Sequence, residues 1–166
     1  ELCSQLLLAW RNGRSIYLCG NGGSAGNAIH LANDFIYGAG KANLAGLRVE
    51  ALSANSAVLT CLANDIGYQY IYSEQIRVKA NRDDILIALS GSGNSQNIIN
   101  ALDVANQKGV KTFAILGYSG GLCKDIARFP IHFEVFDMQV SEDMQLIVGH
   151  ICMKWLARLN LSEISI

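Results

Sequence analysis

Three short runs of the chain are apolar without the alternation of inward and outward residues that a half-exposed strand shows. They are "SIYLCG" at Ser15–Gly20, "DILIALS" at Asp84–Ser90 and "KTFAILG" at Lys111–Gly117. Such continuous runs are typical of strands covered on both faces, which occur mainly in parallel sheets flanked by helices. Two further runs rich in β-branched residues, "RVEAL" at Arg48–Leu52 and "PIHFEV" at Pro130–Val135, bring the number of predicted strands to five.

Helical patterns lie between these strands, and the clearest are Asn94–Lys108, closed by Gly109, and Ser141–Leu159. The alternation of strand and helix predicts the α/β class, with a three-layer, doubly wound, five-stranded parallel sheet of flavodoxin-like type. The length of 166 residues suits one domain over 1–166. Because the chain begins inside a helix-like segment, we expect that N-terminal structure precedes residue 1. Pro130 opens the last predicted strand, where a missing N–H is tolerated.

Composition and charge exclude several classes of protein. The chain is 51% hydrophobic and 16% charged, which is too apolar for disorder. Its net charge of -1, with no basic run, predicts no nucleic-acid partner and no anionic membrane surface. No apolar stretch is long enough to span a bilayer, and no leader is visible. Five scattered cysteines without a CxxC pair predict reduced, mostly buried thiols in a cytoplasmic protein.

Two of the predicted strands end in loops rich in glycine and serine, "GNGGS" at 20–24 and "SGSGNS" at 90–95. Each loop enters a helix, where glycines let backbone amides approach a ligand and the helix N-terminus adds partial positive charge. The first loop has the spacing of neither a dinucleotide-binding motif nor a P-loop. A single loop of this kind is as often ordinary strand-to-helix geometry. Two of them at the carboxyl edge of one small sheet predict a phosphate or sugar-phosphate site.

The chain carries two pairs of chemically active side chains on predicted helices. His30 and Asp34 are four residues apart and share a face of the helix after the first loop. Glu142 and His150 are eight residues apart on the last helix, a rise of about 12 Å and a rotation of roughly 80°. Three arrangements therefore stay open. Glu142 and His150 serve different atoms, the helix is interrupted at Gly149, or a neighbouring subunit completes the site.

Four segments resemble the sugar isomerase (SIS) domain family: "GNGGSAGNAIHLANDF", "LANDIGYQYIYSEQI", "LSGSGNSQNIINALDVANQKG" and "ILGYSGG". Within that family they are similar to the phosphoheptose isomerases, which interconvert sedoheptulose 7-phosphate and a glycero-manno-heptose 7-phosphate. The resemblance runs from about Leu6 to Leu159. It implies a phosphorylated-sugar substrate and a homo-oligomer, commonly a tetramer, with active sites near subunit interfaces. Close relatives include a non-catalytic protein that binds the bacterial replication initiator, so a binding module is the alternative function.

The resemblance also implies roles for individual residues. The implied substrate-binding residues are Asn21, Gly22, Ser24, Asn64, Asp65, Ser90, Gly91, Ser92, Ser95 and Glu142. Asp34 and His150 are the implied catalytic residues, since moving a proton between adjacent carbons through an enediol needs a base and an acid. One divalent metal, with zinc suited to two imidazoles and two carboxylates, is expected on His30, Asp34, Glu142 and His150.

Three positions depart from the pattern of the phosphoheptose isomerases. Asp34 stands where these proteins usually have glutamate, and Glu142 stands where they have glutamine. Gly38-Ala39 lies where an arginine is expected, which weakens the case for the standard heptose substrate. An acid at Asp34 favours an enzyme, because the non-catalytic relative lacks a carboxylate there. His132, inside the last predicted strand, is interpreted as structural.

Overall fold

A computed structural model describes residues 1–40 and 45–159 of the chain. Its strands are β1 (Ser15–Gly20), β2 (Arg48–Ala51), β3 (Ile85–Ser90), β4 (Lys111–Leu116) and β5 (Phe129–His132). Its helices are α1 (Leu2–Arg11), α2 (Gly23–Asn33), α3 (Ser56–Asp65), α4 (Ser73–Lys79), α5 (Gln96–Gln107), α6 (Gly121–Ile126) and α7 (Met138–Ala157). A π-helical turn (Asp34–Gly38) continues α2, and a 3₁₀ turn (Tyr68–Tyr70) follows α3.

The five strands form one parallel sheet in the order β2-β1-β3-β4-β5. One apolar cluster packs α1, α2 and α7 against one face, and a second packs α4, α5 and α6 against the other. Every residue of β3 is buried, which explains why its sequence does not alternate. The predicted three-layer, doubly wound α/β fold is thus confirmed. Among the residues that the structure describes, no helix is long and apolar enough to cross a membrane.

The last strand is shorter than the sequence predicts. It begins one residue before Pro130 and ends at His132, whereas the predicted strand ran to Val135. The reason lies in the hydrogen bonds of the following segment, where the Val135 carbonyl accepts the N–H of Tyr118 at 2.9 Å. The N–H of Phe133 still donates to the carbonyl of Leu116 in β4 at 2.9 Å, and beyond it the backbone bonds to the loop after β4. Pro130 pairs with β4 on the edge strand, a position that tolerates a missing N–H.

The last helix is continuous where the sequence left an interruption open. It begins three residues earlier than predicted because the Asp137 side chain accepts the N–H of Val140 at 2.9 Å. It then runs through Gly149 without a break. A Cβ at Gly149 would lie 2.2 Å from a Leu31 methyl carbon, so this glycine lets α7 pack closely on α2. An interruption at Gly149 is therefore wrong as an explanation of how Glu142 and His150 are placed.

The cysteines are all free, as the absence of paired motifs predicts. Cys19, Cys123 and Cys152 are buried, and burial raises the pKa of each of these thiols. Cys61 is exposed, so the prediction of mostly buried thiols does not extend to it.

Candidate active site

A cleft of about 110 Å³ opens at the carboxyl edge of the sheet, where the strand order reverses between β1 and β3. The two glycine- and serine-rich loops meet there because the carboxyl ends of parallel neighbours lie at the same edge. The residues that line the cleft are Asn21, Ser24, Leu89, Ser90, Gly91, Ser92, Ser95, Met138 and Glu142. The structure therefore brings together most of the substrate-binding residues that the sequence suggests.

The second loop, residues 90–95, presents hydroxyl groups that keep their hydrogens for a ligand; we call it the serine loop. Ser90 Oγ accepts the N–H of Gly93 at 3.1 Å, and Ser92 Oγ accepts the N–H of Asn94 at 3.3 Å. Ser95 is the N-cap residue of α5, but its side chain accepts no N–H from that helix. These hydroxyls, next to the N-terminus of α5, suit the oxygens of an anion such as phosphate.

Gly93 gives the serine loop its shape. Its φ of +68° lies in the left-handed region, and a Cβ there would lie 1.9 Å from the carbonyl oxygen of Gly120. Only glycine meets both conditions, so the loop is held against the turn before α6.

The first loop, residues 20–24, is held in place by hydrogen bonds from three neighbouring side chains. Tyr72, which is buried, donates its hydroxyl to the Gly20 carbonyl, and burial raises the pKa of this tyrosine. The amides of Asn21 and Asn97 form a reciprocal pair, with both N–O distances at 2.8 Å. Tyr68 donates its hydroxyl to the same Asn21 oxygen at 2.9 Å. The position of Asn21 in the cleft is therefore fixed by α5 and by the 3₁₀ turn.

Glu142 faces the start of α2. A Cβ on Gly23 would lie 2.2 Å from Glu142 Oε2, so the carboxylate rests against the first turn of that helix. A negative charge is favourable at this end of a helix. Because an internal carboxylate already faces the N-terminus of α2, the serine loop at α5 is the better place for a bound phosphate.

His30, Asp34 and His150 form a compact cluster on α2, the π-helical turn and α7. Both imidazoles approach the same carboxylate oxygen: His30 Nε2 lies 3.5 Å and His150 Nε2 3.2 Å from Asp34 Oδ2. The two Nε2 atoms are 3.0 Å apart. Asp34 is the least exposed of the three, with 18% of its side chain accessible. It lies where α2 becomes a π-helix, a feature that is frequent at functional sites.

The donor set of this cluster fits a divalent metal such as zinc. Zn–N and Zn–O bonds of about 2.0–2.1 Å place the ligand atoms of a tetrahedral site about 3.3 Å apart. The three distances in the cluster, 3.0, 3.2 and 3.5 Å, lie around that value. Two imidazoles and one carboxylate leave a fourth position open, which is the arrangement of catalytic rather than structural zinc.

Three of the four predicted metal ligands, His30, Asp34 and His150, make up this cluster, and Glu142 lies outside it. The cause is the continuous α7, along which Glu142 and His150 are separated by two turns. Of the arrangements that the sequence left open, the continuous helix excludes only the interruption at Gly149. That Glu142 is a fourth metal ligand, that it serves a different atom from His150, and that a neighbouring subunit completes the site all stay predictions.

Other predicted residues lie outside the cleft. Gly22, with φ +54°, is exposed and precedes α2. Asn64 and Asp65 are exposed at the end of α3, where the Asn64 amide donates to the Asp65 carboxylate at 2.8 Å. His132 is half-buried in β5, and its Nε2 lies 2.9 Å from the Tyr118 carbonyl, a contact in keeping with a structural role.

Sequence reasoning missed several side chains around the cleft. Tyr68 and Asn97 hold Asn21, Met138 lies over Gly91, and Asn27 and Gln145 connect α2 to α7. The spacing of residues along a helix could have indicated Asn27 and Gln145. Asn27 follows Ser24 by three residues and Gln145 follows Glu142 by three, so each shares a helix face with a predicted site residue.

Comparison with known proteins identifies the family. The SIS domain family matches residues 2–117 of the chain. The phosphoheptose isomerase of Akkermansia muciniphila is 36% identical over 158 residues, which are 95% of this chain and 82% of that protein. The chain belongs to the phosphoheptose isomerase family of SIS domain proteins. The phosphoheptose isomerase of Nitratiruptor sp. is likewise 36% identical over 143 residues, 86% of this chain and 76% of the relative.

A solved structure supports the fold of this phosphoheptose isomerase family member. The phosphoheptose isomerase of Francisella tularensis gives a TM-score of 0.90 at 23% identity, covering 95% of this chain and 84% of that one. The predicted family and fold are therefore confirmed. Membership in a family of phosphoheptose isomerases places the chain among aldose–ketose isomerases.

Proposed function

We propose that the chain interconverts sedoheptulose 7-phosphate and a glycero-manno-heptose 7-phosphate. The observation that carries this proposal is the placement of two different sites along one pair of helices. The serine loop and Glu142 lie at one end of the α2–α7 contact, and the cluster of His30, Asp34 and His150 lies two helical turns away. That separation suits a long open-chain sugar whose phosphate and reacting carbons are at opposite ends.

In this proposal the serine loop holds the phosphate, and the rest of the cleft orients the sugar chain. Hydroxyl groups of Ser90, Ser92 and Ser95 donate to phosphate oxygens at the N-terminus of α5. Asn21 and Glu142 face the sugar hydroxyls, Glu142 as an acceptor. Binding the two ends of the substrate in fixed positions brings the reacting carbons to the catalytic groups without further loss of freedom.

Asp34 and His150 carry the proton transfers. Both imidazoles face Asp34 Oδ2, so we assign to Oδ1 the removal of the C1 proton of the ketose. The same carboxyl group then delivers a proton to C2, after exchange with solvent at this partly accessible side chain. His150 moves a proton at the neighbouring oxygens, which alternate between carbonyl and hydroxyl. Zinc held by His30, Asp34 and His150 would polarise the carbonyl and stabilise the enediolate oxygen.

We also propose a homo-oligomer, with a tetramer as the assembly, whose interface runs beside the cluster. Ile36 on the π-helical turn and Ile147, Ile151 and Trp155 on α7 are exposed apolar side chains close in sequence to Asp34 and His150. Exposed apolar groups of this kind are typical of subunit contacts. A single domain over 1–166 and a cytoplasmic location, in which the free thiols stay reduced, complete the proposal.

Turnover by the purified protein tests this function. With sedoheptulose 7-phosphate as substrate, with and without added zinc, the wild-type protein is expected to form an aldose 7-phosphate detectable by NMR. A panel of shorter ketose phosphates should be converted more slowly, because a shorter chain does not reach from the serine loop to Asp34. Absence of turnover with every ketose phosphate, with or without zinc, contradicts the proposal.

Replacing Ser95 with alanine tests the phosphate position. We expect the KM for the sugar phosphate to rise about tenfold, since a hydrogen bond to a charged group contributes about 1.5–3 kcal/mol. The midpoint of thermal unfolding should not change, because the Ser95 side chain caps no N–H of α5.

The matched control is Asn55→Ala, which removes a side chain that does cap a helix. Asn55 Oδ1 accepts the N–H of Val58 at 3.2 Å at the start of α3. This variant is expected to lose about 1 kcal/mol of stability with an unchanged KM. A Ser95→Ala protein with the KM of the wild type would show that the phosphate is bound elsewhere.

A further inference from the structure

A chain of four hydrogen-bonding groups crosses the contact between α2 and α7 and ends at the cleft. Asn27 Nδ2 donates to the backbone carbonyl of Glu142 and to Gln145 Oε1, both at 3.0 Å. Gln145 Nε2 donates to Ser24 Oγ at 3.0 Å. Ser24 Oγ in turn lies 3.4 Å from Glu142 Oε1. Gln145 and Ser24 are almost fully buried, at 1% and 4% exposed.

The donor and acceptor of each of these hydrogen bonds can be assigned from the Asn27 end of the series. A backbone carbonyl can only accept, so the atom of Asn27 that faces it is the amide nitrogen. The same nitrogen faces Gln145, which therefore presents its oxygen to Asn27 and its nitrogen to Ser24. Because Ser24 Oγ receives this N–H, its own hydrogen points onward, toward the Glu142 carboxylate.

The last hydrogen bond of the series, from Ser24 to Glu142, is weak. Hydrogen bonds between two oxygen atoms are usually about 2.5–3.0 Å long, whereas Ser24 Oγ and Glu142 Oε1 are 3.4 Å apart. Both residues line the same cleft as the serine loop. A ligand oxygen in the cleft can therefore take the Ser24 hydrogen at little cost. Because the Ser24 hydroxyl already accepts the N–H of Gln145, it is left to act as a donor toward the ligand.

We propose that Gln145 is a positioning residue that orients the Ser24 hydroxyl as a donor to a phosphate oxygen of the bound sugar phosphate. This inference rests on the proposed function for its substrate, and it adds a residue that makes no contact with the cleft itself. Asn27 acts one step further back, by holding the Gln145 amide in the orientation that presents its nitrogen to Ser24. The ligand class that this arrangement favours carries acceptor oxygens without hydrogens, as a phosphate dianion does.

A double-mutant cycle with inorganic phosphate as the probe tests the proposal. Gln145→Met keeps the length of the side chain and removes the donor, and Ser24→Ala removes the hydroxyl. By calorimetry, each single variant is expected to raise the Kd of phosphate about tenfold. The double variant should also show about a tenfold rise, because Gln145 acts only through Ser24. Independent effects that multiply to about one-hundredfold, or no effect of Gln145→Met, overturn the proposal.

Turnover separates this role from a merely structural one. Gln145→Met is expected to raise the KM for sedoheptulose 7-phosphate with little change in kcat, since the phosphate lies away from the reacting carbons. A protein whose packing is generally damaged would lose kcat as well, and that result would count against the proposal. If Gln145→Met does not fold, Asn27→Ala replaces it, with a smaller rise in phosphate Kd that disappears in the Ser24→Ala background.

The two levels of inference fail separately. A wild-type protein without isomerase activity contradicts the proposed function, while the phosphate Kd values still report whether Gln145 acts through Ser24. An active enzyme in which the effects of Gln145→Met and Ser24→Ala multiply contradicts only the positioning role.

Discussion

Asp34→Asn is expected to lower kcat by about two to four orders of magnitude, the usual contribution of a positioned base to proton transfer. An amide of the same shape cannot take the proton from C1 of the ketose. It also removes the negative charge that both imidazoles approach through Oδ2. Because 18% of the side chain is accessible, the amide is partly hydrated and the fold should survive the change. Initial rates with saturating sugar phosphate, together with circular dichroism, measure both properties.

Two further variants serve as controls for Asp34→Asn. Asp143→Asn changes an exposed carboxylate on α7 and should leave kcat unchanged. Asp34→Glu restores the residue that the resemblance gives for most phosphoheptose isomerases, and it should retain substantial activity. A fully active Asp34→Asn protein would show that another group takes the proton.

His150→Ala is expected to weaken zinc binding by about 100-fold or more, because loss of outer partners alone typically costs 10–100-fold and His150 is a direct donor in the cluster. The wild-type protein, purified without chelators or a metal-affinity step, should bind zinc close to one per chain. Competition with a coloured chelator gives the affinity independently of turnover.

Glu142→Gln is the matched variant for this experiment. Glu142 and His150 are on the same helix, and both belong to the set of four ligands that the sequence suggests. The structure places only His150 within the cluster. Zinc affinity should therefore stay at the wild-type value in Glu142→Gln, while the KM for the sugar phosphate rises. A large loss of zinc affinity in this variant would show that Glu142 is a ligand.

The parts of the fold that the sequence predicts well depend on local patterns. β1, β3 and β4 are buried on both faces, so their apolar runs do not alternate and are easily recognised. The glycine- and serine-rich loops follow two of these strands directly, and parallel pairing then brings them to one edge. His30 and Asp34 are one helical turn apart, which already places them on one face.

The parts that the sequence does not predict depend on how α2 and α7 meet. The pairing of Ser24 with Gln145 joins residues 121 positions apart, and that of His30 with His150 joins residues 120 apart. Spacing along a single helix gives no information about such contacts. The same limit applies to Glu142, whose helix is predicted from the sequence but whose neighbours across the α2 contact are not.

The most direct test of the account is the conversion of sedoheptulose 7-phosphate by the wild-type protein in heavy water, followed by NMR. Proton transfer through an enediol at a partly accessible Asp34 predicts an aldose 7-phosphate that carries solvent deuterium at C2. Asp34→Asn should form almost none of it. Failure to form the aldose would contradict the assignment of this chain as an isomerase, and an Asp34→Asn protein that forms the deuterated aldose at the wild-type rate would contradict proton transfer at Asp34.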